Sequence, residues 1–176
     1  MVANSSRIST LIWCALFAAA VARPASAARG VADPNRLFVV ERSLNANVVV
    51  YDAVRDTHGR LDSNDPVKAY WIMNAEHGQR EPLNVIERLE AFGFKVARGP
   101  HGDVELTVAA LKSRPIRVRV VGRRVEALAR IAGGPAVIRK VFVRTKAGHP
   151  TQVESVELYG SRPGTGVAVH ERLTPG

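Results

Sequence analysis

The chain has 176 residues, 46% hydrophobic and 23% charged, with 25 Lys+Arg against 16 Asp+Glu and a formal charge of +9. That balance excludes a disordered chain and an all-membrane one, and the length fits one domain rather than two. One cysteine, Cys14, excludes an internal disulfide.

Arg7 precedes an apolar run at residues 11–22, which ends at Arg23 and Pro24 and is followed by Ala25-Ser26-Ala27. A basic start, a short apolar core and a small-x-small site predict a secretory signal peptide over 1–27. The run is shorter than the ~20 residues that span a bilayer. The expected location is therefore outside the cytoplasm, periplasmic or extracellular, with no transmembrane segment in the mature chain. Removal of 1–27 takes Cys14 with it. That leaves no thiol nucleophile and no zinc–thiolate site.

Residues 28–35 read as a flexible leader, and 36–173 as a single β-rich domain. RLFVVERS, a polar turn LNAN and VVVYDA predict a first hairpin. Residues 55–66, dense in Asp, Asn, Ser and Gly, read as a loop. PVKAYWIMN, from Pro66, reads as a strand. One helix is expected at 82–92, with Pro82 in its first turn and Leu83, Ile86, Leu89 and Phe92 as its apolar stripe. Gly93 would end it in a left-handed cap. Strands are expected at 93–98, 103–112, 114–121, 124–132, 136–146, 152–160 and 166–172, divided by Gly and Pro turns. The fold class is mainly β: one antiparallel barrel or barrel-like sandwich of about 8–10 strands, with the short helix covering an end.

Few residues point to chemistry. The chain contains no G-x-G-x-x-G, Walker, G-x-S-x-G or H-E-x-x-H pattern, and its five His share no ligand spacing. No cofactor and no metal is expected. The loop at 56–65 has the oxygen ligands calcium prefers, but these residues also make turns, and Arg60 lies among them. A polar cluster at the first hairpin suits a small-molecule site better. Arg42, Asn45, Asn47 and Tyr51 would combine with Tyr70, Trp71 and Asn74 of the next strand, and with Glu87 and Arg88 of the helix. The Asn47/Tyr51 and Tyr70/Asn74 faces would then line a barrel mouth. Arg42, directly after an apolar strand, is expected to be buried and paired with Glu87 or a ligand anion. Caps and turns would use the same Asn residues.

A second candidate is the basic half. Residues 112–146 contain eleven Lys/Arg and one acid, Glu126. Arg117 and Arg119 alternate with branched residues and so share an outward face. With Arg139, Lys140 and Arg144 they form a candidate anion-binding face for anionic lipid or polysaccharide. The face lacks interleaved aromatics, so nucleic acid is not an expected partner.

FVVERSLNANVVVYDA, LDSNDPVKAYWIMNAE and EPLNVIERLEAFGFKV, with the later GGPAVIRKVFVRT, VESVELYGS and GTGVAVHERL, resemble the bacterial family known as domain of unknown function 4833. The resemblance covers residues 36–173. Its most specific pieces are ERSLNAN, the Tyr70-Trp71 pair and IERLEAFGF. It implies an exported protein and supplies no catalytic residue. Phe92 departs from the Tyr expected there.

The sequence thus predicts an exported domain that binds a small molecule or lipid without catalysis. An alternative is a cell-envelope hydrolase using Glu and Arg residues near the first hairpin and the helix, with Glu41, Glu76, Glu81 and Glu87 as its nearby acids. A third is a surface module docked on anionic envelope components. The discriminating observation is a pocket: an interior filled solidly with side chains would make the binding reading fail. The oligomeric state is not readable.

Overall fold

The structure, a computed structural model, describes residues 33–174. The expected signal peptide, and the leader before Asp33, lie outside the described residues. Among the described residues, no helix is long and apolar enough to cross a membrane.

Eleven strands form one curled sheet, a half-barrel. The first wing is β1 (Arg36–Arg42), β2 (Asn45–Ala53), β3 (Val67–Met73) and β4 (Gln79–Pro82). The single α-helix among the described residues, α1 (Val85–Glu90), carries the chain to the second wing. That wing is β5 (Phe94–Arg98), β6 (Val104–Val108), β7 (Ile116–Val121) and β8 (Arg124–Ile131). A long hairpin of β9 (Gly134–Lys146) and β10 (His149–Ser161), then β11 (Ala168–Leu173), completes the chain.

The wings meet on β9. Its first residues pair with β8, and Lys140–Val143 lie between antiparallel β10 and β1. The β1–β9 pairing is parallel, whereas neighbouring strands elsewhere in the sheet are antiparallel. Sequence turns identify hairpin partners, and they give no sign of a pairing across a hundred residues. The strand that exceeds the expected count is β4, whose sequence QREP has no strand-forming side chain and is wholly exposed. Pairing with β3 holds it, and its Pro is tolerated because β4 is an edge.

Directly paired residues in a ladder share a face. Val49 and Tyr51 therefore point inward with Trp71 and Ala69, and the second wing contributes Leu106, Ile116, Val118 and Ala127. Phe38 stacks on Tyr51 at 4.6 Å, and Phe94 meets the Tyr51 ring edge-on at 6.0 Å. Each large side chain buried here contributes roughly 1.5–3 kcal/mol. The interior is thus filled by side chains, and the lumen expected as a binding site is occupied by core.

The helix differs from its expected form. It starts at Asn84, not Pro82, with a capping box: the Asn84 side chain accepts from Glu87 N–H, and the Glu87 carboxylate accepts from Asn84 N–H. Leu83 and Phe92 are buried but lie outside the helix, while Val85, Ile86 and Leu89 are 66–77% exposed. Six residues make fewer than two turns, so the flanking chain does the packing instead. Gly93 does not form a left-handed cap. It is required because a Cβ there would lie 1.5 Å from the Arg88 carbonyl oxygen.

Replacement of Tyr51 by Phe should leave the buried Phe92 carbonyl without its donor, which is now 2.7 Å away. A loss of ~1–3 kcal/mol in urea unfolding is expected; an unchanged midpoint would show that the bond contributes nothing.

A second tie sits on the inward side of β11. Glu171 accepts two bonds from Arg114 and one from Ala132 N–H, and the Arg114 bonds hold its carboxyl below the usual range. A carboxylate with a depressed folded pKa stabilises the fold above its unfolded value, ~4.3, and loses that effect as pH falls through the folded value. Glu171→Gln should therefore lower stability by ~1–2 kcal/mol at pH 7. The gap to the wild type should close below pH ~4, as read by melting temperature against pH.

Candidate functional site

Four of the nine residues expected at a small-molecule site line one cleft. It is about 290 Å³ in volume and is bounded by Asn45, Asn47, Trp71, Met73, Glu81, Pro82, Asn84 and Glu87. β2 supplies Asn45 and Asn47, β3 supplies Trp71, and the helix start supplies Asn84 and Glu87. Trp71 is fixed from behind by Phe92, edge-on at 5.1 Å.

The three carboxamides are set by their own oxygens. Asn45 Oδ1 accepts from Asn47 N–H, Asn47 Oδ1 from Ala75 N–H and Asn84 Oδ1 from Glu87 N–H. Their Nδ2 groups have no partner among the described residues and remain donors for a bound molecule. One oxygen of Glu87 is held by the Asn84 N–H, which leaves its other oxygen and the Glu81 carboxylate as acceptors. The cleft thus offers amide donors and carboxylate acceptors around an indole.

The turn beside it is strained. Leu44 adopts φ +65° and is 87% exposed. A left-handed, solvent-facing leucine costs about 1–2 kcal/mol in a turn where Asn or Gly would cost little.

The other five expected residues lie elsewhere. Tyr51 is core, and burial pushes its phenol well above the ordinary tyrosine range. Tyr70 faces away from Tyr51, because the ladder opposes Tyr70 to Val50 and places Trp71 on the inner face. Its hydroxyl donates to Asp52, Arg80 stacks over its ring at 5.0 Å, and burial followed by the Asp52 bond raises its pKa. Asn74 is exposed and donates to the Ala46 carbonyl, bracing the hairpin. Arg88 lies on the opposite side of β4, in a groove with Tyr70. Arg42 is half-buried rather than buried, across the ladder from Asn45. Met73, Pro82 and Asn84 line the cleft without having been singled out. The Asn84-x-x-Glu87 spacing is the signal that could have located the helix start.

The basic face is largely neutralised within the fold. Arg117 pairs with Asp103, Arg119 with Glu126, Lys140 with Glu41 and Arg144 with Glu157, at 2.6, 2.9, 3.2 and 3.4 Å. Arg139 is exposed at the irregularity between Ile138 and Lys140 of β9. Three of the four acids lie outside residues 112–146, so the linear count overstates the positive field.

This outer surface carries an array that sequence reading missed. Glu157, 8% exposed, accepts from the Tyr159 hydroxyl and contacts Arg144 and His170, and Tyr159 stacks on His170 at 4.6 Å. The Tyr159 bond, then those of Arg144 and His170, hold the Glu157 carboxyl below its usual range. In the loop at 56–65, Asp56 and Asp62 accept from backbone N–H groups of their own turns.

The family model described as Domain of unknown function (DUF4833) matches residues 38–172. No curated protein and no solved structure matches the chain. The match covers most of the sequence, and the chain belongs to this family.

Proposed function

We propose that this member of the family is exported and binds, without chemistry, a small polar or amphipathic molecule in the rim cleft at Trp71. The observation that carries the reading is the lining: an indole with three carboxamides whose Nδ2 donors are unengaged, and two carboxylates. Such a set suits a neutral, hydroxyl-bearing head group, since hydroxyls both accept from amides and donate to carboxylates. Leu44, exposed next to Asn45, offers an apolar contact for a tail. The basic start, apolar run and Ala25-Ser26-Ala27 support export. A hydrolase at this cleft would have to work through Glu81 and Glu87, and Glu87 already serves the helix cap. Docking on anionic envelope components would rest on cations that the fold largely pairs.

The chain has two tryptophans, Trp13 and Trp71. Trp13→Phe therefore makes fluorescence a report on Trp71 alone. Titration with an alkyl glucoside below its micelle concentration should give a saturable shift, and a fatty acid carboxylate of equal chain length should not. Leu44→Gly, which relieves the strained turn, should raise the melting temperature slightly yet weaken binding about tenfold (~1.4 kcal/mol). Identical non-saturating traces for both amphiphiles would sink the proposal.

A further inference from the structure

The half-barrel is open between its wings, and that opening is built as a groove along a strand edge. Among the described residues, β5 pairs with β6 alone. Ala109 N–H donates to the Gly93 carbonyl, and Gly99 N–H donates to the Asp103 carbonyl. The ladder alternation then directs Lys95 and Ala97 toward β6, and the N–H and C=O groups of Phe94, Val96 and Arg98 toward the open side. These groups find no partner among the described residues.

Two cavities flank this edge, of about 560 and 650 Å³, and they share Asp65. The opposite wall is the start of β3 and the 60–66 loop. Arg98 crosses at one end to donate to the Ser63 carbonyl at 3.0 Å. Five residues of β5 offer about 16 Å of edge.

Charge is divided along the groove. At the Phe94 end stand Lys68, Arg80 and Arg88 against Glu81 and the shared Asp65. At the Arg98 end, Asp62 and Asp65 stand with Arg98 beside Asp56 and Asp103, which are paired with Arg60 and Arg117, so acids outnumber cations there. A peptide running antiparallel to β5 would put its carboxyl terminus at the cationic end.

We infer that this groove binds an extended peptide by strand addition to β5, antiparallel, with a carboxylate at the Lys68/Arg88 end. Main-chain hydrogen bonds supply the affinity, and the cationic end fixes direction. This site is separate from the amide-lined cleft, because β4 stands between them. Edge strands are ordinarily protected against such pairing. Here, charges at Lys95 and Arg98 and the facing wall guard the edge against pairing with another sheet.

The test uses the full chain and N-terminally dye-labelled seven-residue peptide pools of alternating Val and Thr, ending in Glu with a free carboxylate. Anisotropy should show saturable binding. Methylation of alternate peptide nitrogens, which leaves the side chains unchanged, should weaken it at least tenfold in the register that removes the paired donors. Amidation of the carboxyl terminus should weaken it several-fold, and that difference should vanish in Lys68→Glu/Arg88→Glu. Val96→Pro removes a donor that β6 does not use, so it should leave the melting temperature nearly unchanged while abolishing peptide binding. Equal binding of methylated and parent peptides in both registers, or no binding by any pool, overturns the inference. If Val96→Pro does not fold, the methylated peptides decide the matter on the wild type. Concentration-dependent dimers lost in Val96→Pro, without peptide binding, would assign the edge to a second copy and overturn the peptide reading.

Discussion

The hydroxyl of Tyr51 crosses from the first wing to the Phe92 carbonyl of the segment that starts the second. Phe38 stacks beneath the same ring and Phe94 closes on its edge. Phe92 in turn supports Trp71. One buried phenol therefore fixes where the chain passes between the wings, and Gly93 allows it to pass close to the Arg88 carbonyl. With both ends pinned, at Leu83 and at Phe92, residues 84–91 have room for only a short helix. The capping box orients that helix so that Asn84 and Glu87 meet the first hairpin, leaving the other face of α1 in solvent.

Charge on this protein has to be judged by ladder neighbours rather than by neighbours in sequence. Arg119 lies opposite Glu126 across β7–β8, so this pair follows directly from the hairpin register. Arg117 finds Asp103, just before β6, and Lys140 finds Glu41 through the parallel β1–β9 pairing. Such exposed pairs contribute ~0–1 kcal/mol each. Their stronger consequence is electrostatic: they reduce the field that a basic segment would otherwise project. Glu157 serves Arg144, Tyr159 and His170 together, which gathers polar partners around a largely covered carboxylate.

Strand runs and turns were legible because local chemistry sets them: alternating branched residues, then Gly, Pro or Asn. The first hairpin and the strands from β5 onward follow from that. Period two also tells which residues share a face, but not which face turns inward. Trp71 rather than Tyr70 points into the core because the β2–β3 register places it beside Val49, and register is a long-range property. The helix stripe misled for a similar reason: Leu83 and Phe92 are buried by the chain entering and leaving the helix, not by the helix face. β4 was invisible, since its strand form comes from pairing with β3 and not from its residues. Of the small-molecule site, the residues already adjacent in the hairpin, with Trp71 and Glu87, came together. Tyr70 was placed by assuming the wrong inward face of β3, whereas Tyr51 does point inward, into an interior that side chains fill.

A filled interior has a consequence for where this fold can bind anything. A closed barrel of this size packed with Phe38, Tyr51, Leu106 and Ile116 would offer only its loops. A half-barrel additionally keeps strand edges, and the connection through α1 prevents β5 from zipping onto β3. β4 ends at Pro82, so β3 extends beyond its partner just where β5 begins across the opening. The same short β4 separates an amide-lined cleft on one side from a groove with unpaired main-chain groups on the other. The two proposed surfaces, one offering side chains and the other main-chain groups, are thus set side by side. Both depend on the segment that Tyr51 holds in place, and loosening that segment would degrade the two surfaces together.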